Sequence, residues 1–142
     1  MTAAVGVAVG ILVCVPEQLV LLHLRGPENS PDPNLWAALG GHAEPEDDGD
    51  LRRTLCRELR EELGLEFTID EVQEIGRQYG DRDQMIAVHV IPVASTSQTF
   101  TIREGRGVAW FPIAAAMELP NLAAVTRADL PKIEAWLDTV RT

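Results

Sequence analysis

The sequence predicts an α/β fold, and three observations carry that reading. Apolar β-rich runs recur before and after a helical middle, at Val5 to Val15, Leu19 to Leu24, Met85 to Val93 and Val108 to Phe111. Between them, Leu51, Leu55, Leu59 and Leu63 recur every fourth residue, the apolar stripe of an amphipathic helix that packs on a sheet. Near the C-terminus Ile133, Trp136, Leu137 and Val140 share one helical face, so a terminal helix is expected to cover the sheet as well.

The elements follow in order. Val5 to Val15 and Leu19 to Leu24 flank Pro16-Glu17-Gln18, which predicts an antiparallel hairpin. Gly26 to Asn34 holds three prolines and two asparagines, so it is a loop that lines the rim of a site or hangs in solvent. Leu35 to Leu39 is a short apolar run ending in Gly40-Gly41, where the backbone bends sharply or approaches a ligand closely. An acidic loop, Glu44 to Asp50, leads to the helix Leu51 to Leu63, with Asp50 as N-cap and Gly64 as left-handed C-cap. Met85 to Val93, Phe100 to Ile102 and Val108 to Phe111 read as strands, Gly105-Arg106-Gly107 as a loop, and Asp129 as the candidate cap of the last helix.

At 142 residues, with 46% hydrophobic and 24% charged residues, one folded domain over 1–142 is expected. A formal charge of −10 argues against nucleic acid polymers and anionic membranes, which are held through Lys and Arg. A small anionic ligand would instead need a divalent cation recruited by carboxylates. Cys14 and Cys56 show neither zinc nor disulfide spacing, and the apolar start lacks a basic leader, so a cytoplasmic protein is expected. A homodimer through an edge formed by the N-terminal strand is a candidate assembly.

Glu58, Glu61 and Glu62, at i, i+3 and i+4, share an arc about 100° wide beside the leucine stripe. A solvated helix face, with Arg57 paired to Glu61, has the same spacing. The like-charge pair Glu58 and Glu62 costs about 0.2–0.5 kcal/mol, a conflict that a bound cation turns into attraction. Spacing alone leaves both readings open.

The wider string Gly40-Gly41-His42-Ala43-Glu44, a loop, and Arg57-Glu58-Leu59-Arg60-Glu61-Glu62-Leu63-Gly64-Leu65 resembles the Nudix hydrolase box, G-x5-E-x7-R-E-U-x-E-E-x-G-U, with U a bulky aliphatic residue. The second half matches at every defined position. In the first half, counting from Gly41, the expected glutamate falls on Asp47, and nine residues instead of seven separate it from Arg57, so the loop must bulge. Leu39 stands where the family usually carries proline.

The resemblance implies an α/β/α sandwich with a mixed sheet, the box helix on one side and the C-terminal helix on the other. It also implies Mg²⁺, with Mn²⁺ as an alternate, held by Glu58, Glu61, Glu62, the carbonyl of Gly40 and the later-loop Glu104. Metal bound to the diphosphate oxygens would lower the pKa of a water, and Glu58, the first choice, or Glu104 would take its proton. Arg57 is assigned to orienting carboxylates through its guanidinium fork. Arg25 and His42 are candidate phosphate contacts, and Tyr79, Trp36 and Arg82 candidate base or ribose contacts; Arg52, Arg53 and Arg60 read as solvated.

The implied activity is cleavage of a diphosphate linkage in a nucleoside diphosphate derivative: a nucleotide sugar, ADP-ribose or an (oxidised) nucleoside triphosphate. The alternative is a catalytically silent Nudix-like module that binds a nucleotide and signals to a partner. An isoprenoid diphosphate isomerase would want a nucleophilic cysteine, for which Cys14 and Cys56 are poorly placed.

Overall fold

The structure, a computed structural model, describes residues 6–28, 33–79 and 84–140. Among these, one mixed sheet is built from β1 (Gly6–Cys14), β2 (Leu19–Leu24), β3 (Trp36–Ala37), β4 (Leu39–His42), β5 (Gln73–Tyr79), β6 (Met85–Val93) and β7 (Gly107–Pro112). The helices are α1 (Leu51–Leu63), α2 (Ile113–Met117) and α3 (Ala124–Val140), with 3-10 turns at Pro45–Asp47 and Ile69–Glu71.

β1 is the centre of the sheet. It runs parallel to β6 along its whole length, from Gly6 opposite Met85 to Cys14 opposite Val93. Its other edge is shared: β4 takes Val7 to Gly10, and β2 takes only Val13 and Cys14. The predicted hairpin therefore closes at its tip, after which β2 leaves β1 to pair with β3 and β7. A strand bonded on both edges and covered on both faces has no polar side, which explains the unbroken apolar run. It also offers no edge to a second copy, so the expected basis for a dimer fails.

Alternate residues of the sheet serve two cores. Ala8, Leu12, Leu21, Leu39, Ala87 and Ile91 pack under the α1 leucines. Ile11, Val13, Val20, Leu22 and Val90 pack against Leu130, Ile133 and Leu137 of α3 on the opposite side. The expected α/β/α sandwich is the result. Leu55, Leu59 and Leu63 have no exposed surface; at about 1.5–3 kcal/mol each, they fix which face of α1 is left for chemistry.

α1 has the expected bounds. Asp50 accepts the Arg52 N–H at 3.0 Å, and Gly64, at φ 69°, closes the last turn through its N–H to Arg60. Other expectations change. Phe100 to Ile102 is no strand, because its backbone is spent on α1: Thr101 N–H and Arg103 N–H donate to the carbonyls of Leu63 and Glu62, both at 2.9 Å. Asp129 is not a cap; α3 begins five residues earlier at Ala124, and Asp129 lies inside it, 1% exposed, holding Lys132 at 3.1 Å. Val140 is 44% exposed, outside the packed face. β5 was not foreseen, since an edge strand reading Gln-Glu-Ile-Gly-Arg-Gln-Tyr lacks an apolar alternation; the five-residue α2 was also missed.

Candidate active site

Arg57 is the hub of the acidic face of α1. Its side chain is 9% exposed and reaches back to the loop before the helix, where Nη2 donates to Asp47 at 3.0 Å and to the His42 carbonyl at 3.2 Å. Its Nη1 turns the other way, to Glu58 at 3.1 Å and Glu61 at 3.5 Å. Asp47 is anchored independently by Thr54 Oγ1 at 2.8 Å and the Glu44 N–H at 2.9 Å. Burial pushes the Asp47 carboxyl up, but hydrogen bonds from Arg57, Glu44 and Thr54 outweigh it and hold it below the ordinary range. The longer loop thus bulges as a 3-10 turn while still delivering a carboxylate to Arg57. The position counted from Gly41 is the one the structure uses.

The three glutamates share a helical face without forming a ready-made cage. Among the described residues, no three acidic, His or Cys side chains meet in a closed metal-binding group. Glu58 and Glu61 lean on Arg57, and the Glu61 side chain is 55% exposed. Glu62 is half-buried, as Glu58 is: desolvation first, then the charges of Glu58 and Glu104, push its carboxyl up to about 8, against the pull of Arg25. Burial also pushes Glu58 up, with Arg57 opposing, and the two carboxyls are close enough to share a proton. An all-oxygen set destabilised by its own negative charge fits a hard divalent cation, which reverses the sign of each repulsion.

β4 and the loop after Ile102 bring in the other candidates. Gly40 and Gly41 lie in extended β4, opposite Val9 and Ala8, so they serve close approach and not a sharp bend. A Cβ at Gly41 would run into the Glu58 carboxylate, and one at Gly40 into the Ala8 carbonyl. Glu104 is exposed on its loop, its charge felt at Glu62. Arg25, half-buried just after β2, acts on Glu62 from the other direction.

Arg25, Gly40, Gly41 and His42 also line a cavity of about 330 Å³, completed by Ala37, Ala38, Ala123 just before α3, and Val125 and Thr126 in its first turn. Thr126 Oγ1 accepts the Ala38 N–H at 3.0 Å. Nothing in the sequence near Thr126 pointed to it, because only the fold brings α3 to β3. A wider depression of about 650 Å³ lies between the N-terminus of α1 and β5. Both its arginines are already paired, Arg52 with Asp50 at 3.1 Å and Arg77 with Glu74, and it is apart from Glu58 and Glu62.

Some sequence candidates are not brought together. Tyr79 ends edge strand β5 opposite Met85, 71% exposed, and does not line the cavity. Trp36 is packed edge-on against Phe111, ring centres 5.0 Å apart. Arg82 and residues 29–32 of the proline-rich loop lie outside the described residues. Arg52 pairs with Asp50 at 3.1 Å while 40% of its side chain stays exposed. Cys14 and Cys56 are both free thiols. His23 was passed over, although a histidine in phase with Leu21 on an inward-facing side of β2 was a usable signal.

Known proteins share the sequence pattern and the fold. The CTP pyrophosphohydrolase of Escherichia coli (strain K12) is 33% identical over 118 residues, 82% of each chain. The solution structure of the E. coli ORF135 protein superposes with a TM-score of 0.69 at 27% identity, covering 94% of this chain and 91% of that one. The NUDIX domain of Shewanella oneidensis NrtR, solved with ADP ribose, superposes with a TM-score of 0.75 over 96% of this chain and 90% of that one, at 21% identity. No helix among the described residues is long and apolar enough to cross a membrane. With the NUDIX domain family matching residues 4–133, the chain belongs to the Nudix hydrolase family.

Proposed function

We propose that this chain is a pyrophosphohydrolase that converts a nucleoside triphosphate, CTP foremost, to the monophosphate and pyrophosphate, with Mg²⁺ or Mn²⁺ held at α1. The observation that carries the reading is a shared wall. Gly41 touches Glu58, Arg25 acts on Glu62, and both residues line the 330 Å³ cavity. A nucleoside in that cavity would direct its phosphates at the carboxylates. The volume is at the low end of the roughly 300–1,000 Å³ of small-molecule sites, which suits one pyrimidine nucleoside better than the adenosine and second ribose of ADP-ribose together. The similarity to a CTP pyrophosphohydrolase points the same way.

In this reading Glu58, Glu61, Glu62, Glu104 and the Gly40 carbonyl hold the metal. When bound, the metal neutralises the diphosphate and lowers the pKa of water. Arg57 keeps Glu58 and Glu61 oriented, and Arg25 with His42 meets the phosphates. Glu58 or Glu104 takes the proton as water adds at phosphorus and the bridging P–O bond breaks. Thr126 and Ala38 seat the base end of the substrate.

The test is release of nucleoside monophosphate from a panel of CTP, other nucleoside triphosphates, ADP-ribose and a nucleotide sugar, with Mg²⁺, Mn²⁺ or a chelator; pyrophosphate is the second product only for the triphosphates. CTP is expected to be cleaved only with metal, and Glu62→Gln to abolish turnover. Cleavage of none of the panel overturns the hydrolase reading; tight nucleotide binding without turnover would make the chain a binding module.

A further inference from the structure

The loop that carries Glu104 has no strand to hold it, yet it is tied down on both sides. Towards α1, the N–H groups of Thr101 and Arg103 cap the carbonyls of Leu63 and Glu62. Towards the sheet, the Arg106 N–H donates to the Leu24 carbonyl at 2.8 Å. Between these ties sits His23, 4% exposed in β2, whose Nε2 lies 2.7 Å from the Glu104 carbonyl oxygen. A carbonyl only accepts, so Nε2 carries the proton and donates. The imidazole also occupies the space beside Gly105, at φ 83°, where any Cβ would run into Nε2. A polar ring in this inward position, and a glycine opposite it, are both explained by one contact.

We propose that His23 is a positioning residue: its Nε2–H clamps the backbone of Glu104 so that the Glu104 carboxylate is presented to the acidic face of α1. The inference rests on the reading of Glu104 as part of the metal site. His23 touches neither substrate nor metal; it acts through the loop. The main-chain ties at Arg103 and Arg106 leave Glu104 itself between them, and the His23 hydrogen bond sets the rotation of that peptide.

The test uses the intact protein and Mn²⁺ alone, followed by electron paramagnetic resonance, so it needs no substrate. His23→Leu keeps the bulk and removes the donor; His23→Gln keeps a side-chain N–H. His23→Leu is expected to weaken Mn²⁺ binding about tenfold, the scale of supporting residues at metal sites, and His23→Gln to recover part of the loss. In a Glu104→Gln background, His23→Leu should add nothing. Amide exchange at Arg103 and Arg106 should accelerate in metal-free His23→Leu. If His23→Leu binds Mn²⁺ as the parent does, or weakens it equally with Glu104 already replaced, the proposal is wrong. Should His23→Leu fail to fold, parent-like exchange and weakened Mn²⁺ binding in His23→Gln would equally overturn it. A failure of CTP turnover with these results intact would sink the substrate reading alone.

Discussion

Replacing Arg57 by Met separates the structural weight of the guanidinium from its part in the site. Arg57 and Asp47 have side chains 9% and 4% exposed, joined at 3.0 Å. Removing one partner of a buried pair costs about 3–5 kcal/mol, because the other charge is left uncompensated. The pair lies under a thin cover, so the lower end, about 3 kcal/mol, is expected at pH 7, or a Tm lower by roughly 10 °C.

The pH dependence has a definite sign. In the parent, the Asp47 carboxyl is held below its ordinary value, so its contribution is present above that ordinary value and is lost as pH falls through the lower folded one. In Arg57→Met the burial that opposes ionisation prevails and the folded pKa rises. Stability is then full below the ordinary value and is lost as pH rises through the folded one. The two proteins should differ least near pH 4 and most near pH 7. Urea unfolding at both values, in chelator, measures this. A loss under about 1 kcal/mol at pH 7, the scale of an exposed pair, or an equal loss at both pH values, would refute the argument.

Other variants probe the acids directly. The Glu62 carboxyl, raised to about 8, contributes stability to the metal-free protein that is lost as pH rises through that value. Glu62→Gln should therefore raise the urea midpoint near pH 9 in chelator and leave it little changed near pH 4, below the ordinary carboxylate value; no gain at pH 9 counts against a charge-crowded, partly desolvated Glu62. Calorimetry of Mg²⁺ binding in two buffers of different ionisation enthalpy should show proton release at pH 7 that vanishes in the same variant. Gly41→Ala should displace the Glu58 carboxylate and weaken Mn²⁺ binding about tenfold with little change in Tm; unchanged affinity would mean that Glu58 does not depend on that approach.

The local elements were legible because each is written in a short window. Asp50, the leucines of α1 and Gly64 define a helix without reference to anything distant, and the leucine stripe dictates that Glu58, Glu61 and Glu62 face away from the core. Phe100 to Ile102 misled because three apolar or β-branched residues look alike whether they pair with a strand or cap a helix. β5 was invisible because its register comes from β6, not from its own alternation.

By itself, then, the sequence determined the helix that carries the acids, the family resemblance and the position of Asp47, all of which depend on spacing along one segment. Tertiary structure decided which acids are drawn partly out of solvent, that Arg57 joins the bulged loop to two glutamates, and that His23 holds a loop 81 residues away. Burial and electrostatic coupling belong to pairs that only folding brings together, and the carboxyl of Glu62, raised by Glu58 and Glu104, has no local signature at all.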